Sequence, residues 1–261
     1  MVHPLIVIGS KGFIGRHFCH AFPQALQIDR SQLDLSDPCL TFSTEGRKIA
    51  LITAGVGNPK RCEEDPSLSY HCNVAGTLKV GKELLKRGIL PIFFSTDYVF
   101  DDNLNVSPLN AYGRQKAELE KEALALDALV IRLSKVYGIE KGDRTLFDEM
   151  ADTLTQGNRI QAAYDQVFSP IFVGDVVQQV MALIEKGKRG IVNVFGPSFA
   201  SRLEMARKVA EKLGVKSELI KEISLDDLKD GICRPKQLAL SSDFPAMNWD
   251  SGVECVVKNY A

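Results

Sequence analysis

The stretch Leu5-Ile6-Val7-Ile8-Gly9-Ser10-Lys11-Gly12-Phe13-Ile14-Gly15 decides the fold. Four aliphatic residues in a row, three of them β-branched, read as a buried strand over Leu5–Ile8. Gly9 then allows a tight turn. Gly12 lets the backbone approach a pyrophosphate with no Cβ in the way, and Gly15 lets the following helix, predicted over Phe13–Phe22, lie close to the strand. The helix N-terminus adds unbonded N–H groups and the positive end of a dipole, which suit an anion. The spacing is G-x-x-G-x-x-G rather than G-x-G-x-x-G. Read as a dinucleotide loop, it enlists Gly9, Ser10, Lys11, Gly12, Phe13, Ile14 and Gly15. Asp29 stands 20 residues after Gly9, at the end of a second predicted strand (Ala25–Ile28), where a carboxylate takes the ribose hydroxyls of the adenosine half. That carboxylate slightly favours NAD. Arg30 and Lys11 are cations able to neutralise the extra phosphate of NADP, so both cofactors stay open.

Outward from this unit, short β-branched runs alternate with longer helical patterns. Helices are expected over Ser36–Glu45, Ser67–Arg87 and Ala111–Leu126, and strands over Ile49–Thr53, Ile89–Ser95 and Leu129–Leu133. Residues 55–66 read as a loop rich in Gly, Pro and charge. Asp34 and Leu35 are placed to meet an adenine, and Thr53, Ala54 and Gly55 to line a dinucleotide. After about residue 140 the rhythm changes. A helix over Thr145–Thr155, a strand over Ile171–Val173, a helix to Lys186 and a strand over Ile191–Phe195 follow. Ser201-Arg202-Leu203-Glu204 is a capping box opening a helix to Leu213, and a short helix starts near Ser224. The expected fold is α/β: a Rossmann-type doubly wound parallel sheet with a smaller C-terminal substrate-binding α/β cap. Residues 1–140 plus roughly 171–196 form the dinucleotide-binding domain, and roughly 141–170 plus 197–261 the cap.

The 261 residues are 45% hydrophobic and 25% charged, which excludes a largely disordered chain. The 32 basic and 33 acidic residues give a net charge of −1, so neither nucleic acid nor an anionic membrane is an expected partner. No run approaches the ~20 apolar residues of a transmembrane helix, and the N-terminus has no signal-peptide pattern. The six cysteines form no C-x-x-C pair, and of the four histidines only His17 and His20 are close together, so no metal site is expected. Reduced thiols in a cytoplasmic protein are the expectation.

Two further motifs carry chemistry. In Tyr112-Gly113-Arg114-Gln115-Lys116, four-residue spacing on a helix puts Tyr112 and Lys116 on one face. A lysine beside a phenol favours phenolate and lowers its pKa, which tunes the tyrosine for proton transfer. Ser95-Thr96-Asp97-Tyr98-Val99-Phe100 ends the fourth strand, where a hydroxyl faces the ligand crevice of an open sheet.

In this order, the glycine loop, the Ser95–Phe100 run and the Tyr112–Lys116 pair resemble the extended short-chain dehydrogenase/reductase family, in its dTDP-4-dehydrorhamnose reductase branch. Pro108-Leu109-Asn110-Ala111-Tyr112-Gly113, Asn73-Val74-Ala75-Gly76, Ala162-Ala163-Tyr164-Asp165-Gln166, Ser169-Pro170 and Arg234-Pro235 extend the resemblance over nearly the whole chain. It implies NAD(P)H-dependent reduction of a keto group on a nucleotide-activated sugar. In that role Tyr112 is the general acid, Lys116 holds the nicotinamide ribose and depresses the phenol, and Thr96 hydrogen-bonds the reacting oxygen. Asn73, Ser95 and Leu133 come with it as cofactor contacts. Asp97, Lys135, Phe147, Gln166 and Arg234 are substrate candidates, Lys135 and Arg234 as partners of a diphosphate.

Tyr98 stands where the family's dehydratases carry Glu, and Asp97 where its GDP-fucose epimerase-reductases carry Cys, so plain ketone reduction fits best. Lys135 replaces the Trp usual in the rhamnose enzymes, Leu146-Phe147 replaces Asn-Phe, and the Thr96–Tyr112 interval is short for the branch, which leaves the sugar open. A nucleotide-sugar epimerase or dehydrogenase and a non-enzymatic dinucleotide-binding regulatory subunit are the alternatives. Helices 67–87 and 111–126 are candidates to pair in a homodimer.

Overall fold

The computed structural model describes residues 4–260. The all-aliphatic run Leu5–Ile8 forms β1, with every residue buried. β2 (Leu26–Ile28) and β3 (Ile49–Ile52) flank it, both parallel, with Ile6 opposite Leu26 on one side and Ala50 on the other. β4 (Leu90–Thr96), β5 (Leu129–Leu133) and β6 (Gly190–Val194) complete a six-stranded sheet in the order β2-β1-β3-β4-β5-β6. The chain reverses its direction of travel between β1 and β3, the switch point at which open α/β sheets bind ligands. The sheet strands are nearly continuous hydrophobic runs, as covered parallel strands must be. α1 (Phe13–Ala21), α4 (Thr77–Lys86) and α5 (Ala111–Leu124) are the longer helices of this part of the chain.

Two compact units partition the chain. The first comprises the described residues up to Val99, Val106–Arg132 and Val180–Val192; the second comprises Phe100–Asn105, Leu133–Gln179 and the residues from Asn193 on. In the second unit α6 (Leu146–Thr155), α8 (Arg202–Leu213) and α9 (Trp249–Val257) pack on one another. Ile160–Ala163 pairs in parallel with Ile220–Ile223, and Val167–Phe168 lies between Ala200–Ser201 and Gln237–Leu238. The capping box is present: Ser201 Oγ accepts from Glu204 N at 3.1 Å and Glu204 Oε2 accepts from Ser201 N at 2.7 Å. Gly214, at φ +67°, ends α8. α7 (Val173–Glu185) leads to β6. Among the described residues no helix is long and apolar enough to cross a membrane.

Three sequence expectations fail locally. Ser36–Glu45 is not helical. The Asp34 carboxylate takes both Ser36 N (2.9 Å) and Ser36 Oγ (2.8 Å), a local turn that competes with helix. Pro38 withholds a donor, and Arg87 anchors the coil by donating to Leu40 O at 3.1 Å. The 55–66 loop contains a short helix, α2 (Pro59–Glu64), capped by Asn58 Oδ1. The helix expected over Ser67–Arg87 is broken into α3 (Pro66–Tyr70), a π-helical segment (His71–Gly76) and α4. α9 and most of the short second-unit strands went unanticipated, although the strand expected over Ile171–Val173 is present at Ile171–Phe172.

Gly76 ends the π segment against the Leu35 backbone, where an added Cβ would lie 1.8 Å from Leu35 O. Gly76→Ala is expected to cost about 1–3 kcal/mol of unfolding free energy through overpacking, measured by urea denaturation. A stability equal to wild type would show that the Leu35 coil is free to withdraw.

Candidate active site

The ends of β1, β2 and β3 surround a cavity of about 370 Å³. Its wall combines the glycine loop, the turn after β2 and the Thr53–Val56 turn, and is completed by Cys72. The loop is as tight as its glycines allow. Gly9 has φ +93°, and a Cβ there would sit 2.6 Å from Ala54 N; a Cβ on Gly15 would sit 2.1 Å from Gly9 O. No side chain caps the N-terminus of α1. A glycine cradle and an uncapped helix start offer N–H donors to phosphate, and the Asp29 carboxylate in the same wall is an acceptor for ribose hydroxyls, so the residues present fit an adenine dinucleotide.

The predicted loop residues divide. Gly9, Lys11 and Gly12 line the cavity; Ser10, Phe13, Ile14 and Gly15 do not. The Gly9 and Ser10 N–H groups both donate to Ile28 O, at 2.8 and 3.1 Å. Phe13 packs edge-on to His17, with the Arg16 guanidinium 5.2 Å from its ring centroid. Gly15 serves the packing of helix on strand. Asp29, Arg30, Asp34, Leu35, Thr53, Ala54 and Gly55 all reach the wall.

Asp29 is held ionised. The Lys11 ammonium pairs with Oδ2, and Ser31 donates to Oδ1 from N (2.8 Å) and Oγ (2.6 Å). Together they keep its carboxyl well below the usual range, with Lys11 first. Arg30 Nε donates to Asp34 Oδ2 at 3.0 Å. The Asp34 carboxyl is lowered mainly by its bonds from Ser36. Lys11 and Arg30, the cations expected to meet the extra phosphate of NADP, are thus each paired with a carboxylate.

The turn after β3 is fixed from two sides. Thr53 Oγ1 donates to Ile8 O at 2.9 Å. Asn73, fully buried on the π segment, accepts from Val56 N (2.7 Å) and donates to Val56 O (3.1 Å) and to Gln115 Oε1 (2.8 Å). Gln115 lies between Tyr112 and Lys116, so this amide pair ties the cavity wall to α5. π turns recur at functional sites because they aim one side chain out of the helical register.

α5 is set by three local contacts. Asn110 Oδ1 caps Gly113 N at 2.9 Å, and Ala111 N donates to Glu63 Oε1 at 2.7 Å. Gly113 lies on the Tyr98 backbone, where a Cβ would be 2.2 Å from Tyr98 O. This approach brings Tyr112 to the end of β4, with its ring centroid 6.4 Å from that of Tyr98. Thr96 Oγ1 donates to Asp97 Oδ1 at 3.1 Å and accepts from Tyr98 N at 3.2 Å. Lys116 Nζ donates to Phe94 O at 2.8 Å and lies 5.9 Å from the Tyr112 ring centroid.

The electrostatics correct one expectation. The Tyr112 phenol is pushed above its ordinary value rather than depressed, by burial first and then by Asp97, Cys62 and Tyr98; a hydrogen bond with Thr96 acts the other way. Burial also brings the Lys116 ammonium down to about 8, against the opposing pull of Cys62 and Glu120. Tyr112 therefore holds its proton at neutral pH as a donor.

In the second unit, Gln166 is buried and its carbonyl accepts from Arg202 N at 2.9 Å. Arg234 forms a fork with Asp230 at 2.9 and 2.6 Å. Lys135 is exposed, and its carbonyl accepts from Ile171 N at 3.0 Å. Leu133 ends β5 and is buried. Phe147 departs from its expected role: it is fully buried, its ring 4.7 Å from that of Tyr137, because the apolar face of α6 turns inward. It is a core residue.

Sequence reasoning missed Cys62, whose thiol is near both Tyr112 and Lys116. It also missed Glu120, although Tyr112, Lys116 and Glu120 repeat at four-residue intervals on α5. Ser95, expected to touch cofactor, instead donates to Glu120 Oε1 at 2.5 Å.

The chain is 28% identical over 267 residues to dTDP-4-dehydrorhamnose reductase of Mycolicibacterium smegmatis, covering 94% of this chain and 80% of that one. It is 30% identical over 199 residues to rat methionine adenosyltransferase 2 subunit beta, covering 70% of this chain and 59% of that one. The fold is shared with the crystal structure of the Bacillus anthracis dTDP-4-dehydrorhamnose reductase in complex with NADP, at TM-score 0.84 and 22% identity over 99% of both chains. The family profile described as the RmlD substrate binding domain matches residues 3–260. This chain belongs to the RmlD substrate binding domain family, within the extended short-chain dehydrogenases/reductases.

Proposed function

We propose that this protein reduces the keto group of a nucleotide-activated sugar with NAD(P)H, in the manner of the dTDP-4-dehydrorhamnose reductases it resembles. The observation that carries the reading is the meeting of Thr96, Tyr112 and Lys116 at the end of β4, tied to the wall of the glycine-loop cavity through Asn73 and Gln115. A reduced nicotinamide dinucleotide, when bound, supplies the hydride for the carbonyl carbon. Gly9, Gly12 and the first turn of α1 hold its phosphates, and Asp29 takes a ribose. Tyr112 gives its proton to the carbonyl oxygen, Thr96 orients that oxygen, and Lys116 adds positive charge beside the phenol.

A plain reduction accounts for Asp97 and Tyr98, which offer neither a thiol nor a carboxylate in the dehydratase position. A paired Asp29 supports NADH, and Lys11 and Arg30 can re-pair with a 2′-phosphate, so use of both dinucleotides is part of the proposal. All six cysteines are free thiols, which supports a reducing, cytoplasmic setting. Exposed Leu68, Tyr70 and Leu124 support a homodimer through α3 and α5, to be read by sedimentation velocity. A second reading, a regulatory subunit, is favoured by the likeness to methionine adenosyltransferase 2 subunit beta. It predicts stoichiometric copurification with another protein and no turnover.

Wild-type protein given a dTDP-4-keto sugar should consume reduced nicotinamide, and Tyr112→Phe should lower kcat by about 10²–10⁴-fold. Unchanged turnover would remove Tyr112 from its role. Reduction needs both groups protonated. The Tyr112 phenol is raised and keeps its proton, whereas Lys116 loses its own near 8, so kcat should fall as pH rises through about 8. A pH profile flat across that range would contradict this assignment. Asp29→Asn should raise KM for NADH by about tenfold or more, from the loss of a charge-assisted hydrogen bond, and KM for NADPH by less. Equal effects on the two would dissociate Asp29 from cofactor choice.

A further inference from the structure

Glu120 follows Lys116 by one helical turn on α5, and a glutamate four residues from a lysine is the ordinary partner of its ammonium. That pairing is not made. Glu120 Oε1 accepts from Ser95 Oγ at 2.5 Å and from Arg132 Nε at 2.8 Å, while Oε2 accepts from Arg132 Nη2 at 2.6 Å. All three residues are buried, Glu120 to 3% exposure. A buried ion pair contributes little net stability relative to apolar residues of the same shape, so stability is a weak reason for it to exist. Its location supplies a better one.

We propose that Arg132 and Glu120 are positioning residues for the reduction: the guanidinium fork and the Ser95 hydroxyl occupy both Glu120 oxygens, so the Lys116 ammonium stays on the Phe94 carbonyl beside Tyr112 instead of turning back along α5. The inference rests on the roles given to Tyr112 and Lys116 above. Phe94 and Ser95 are neighbours on β4, so the clamp on Ser95 also holds the carbonyl that receives Lys116 and, one residue on, the Thr96 hydroxyl. Arg132 on β5 offsets the Glu120 charge, so only part of its pull on the Lys116 ammonium is left.

The other titratable groups around the site are the Cys62 thiol from α2, Tyr112 itself on α5, and Asp97 and Tyr98 at the end of β4 facing Tyr112. None of these is altered by changes at residues 120 and 132. A free Glu120 would capture Lys116 and raise its titration midpoint. A free Arg132 would repel it and lower the midpoint.

The test is an NMR titration of the whole protein carrying [13C]lysine, with the Lys116 Cε resonance assigned by its loss in Lys116→Met, alongside pH–rate profiles. Relative to a wild-type midpoint near 8, Arg132→Met should move the midpoint up, and Glu120→Gln should move it down, each by about one pH unit, a tenfold change in the proton equilibrium. In the same variants kcat should drop about tenfold or more while KM for the dinucleotide changes less. The double variant Glu120→Gln/Arg132→Met, uncharged at both positions, should bring the midpoint back towards wild type. A purely structural pair would lower thermal stability and leave the midpoint where it is. Midpoints that stay put, or move in the same direction in both single variants, would overturn the proposal. If Arg132→Met does not fold, Arg132→Lys, which keeps the charge and loses the fork, takes its place with a smaller upward shift expected. Opposite shifts in the two single variants, together with a wild type that reduces no keto sugar, would uphold the clamp and reject the enzymatic reading instead.

Discussion

The first turn of α5 rests on the backbone of Tyr98, and only a glycine at position 113 permits it. Much of the site depends on this contact. Tyr112 and Lys116 ride on α5, while Thr96 and the Phe94 carbonyl belong to β4, so the distance between helix and strand end sets the separations among these four groups. Asn110 and Glu63 fix the helix start by taking the N–H groups of Gly113 and Ala111. A helix one Cβ further out would leave the phenol and the hydroxyl on separate walls.

Most of the sheet was legible in the sequence because buried parallel strands are unbroken aliphatic runs. Leu129–Leu133 matches its expected bounds, and Leu5–Ile8 does the same. The capping box at Ser201 was legible because a cap is a local chemical pattern. What escaped was set at long range. Nothing near Asn73 in sequence reports that its amide will bind Val56, yet that bond and the Leu35 backbone beside Gly76 accompany the break in the 67–87 helix. Two-residue bridges such as Val167–Phe168 are too short to show a period.

The candidate site divides on the same line. The glycine loop, Asp29 and the Tyr112–Lys116 pair are read from spacing and Thr96 from its place at a strand end, while the roles of the last three come with the family resemblance. The pKa of Tyr112 is not legible in this way. Sequence reasoning considers the adjacent lysine, whereas the folded chain weighs burial and the charges of Asp97 and Cys62, and burial wins. Phe147 was misassigned for a related reason: an aromatic at a helix start reads equally as ligand contact or core, and only the packing against Tyr137 decides.

The sheet's last strand comes late. β6 is drawn from Gly190–Val194, after nearly the whole Leu133–Gln179 segment of the other unit has been laid down. During synthesis, β5, whose five residues are all buried in the finished protein, has no neighbour on its outer side until that segment has emerged. An aliphatic strand with open N–H and C=O groups is a template for association with other chains. The interleaving of the two units thus gives the nascent polypeptide an interval of about sixty residues between Leu133 and Val194 in which β5 lacks its outer partner.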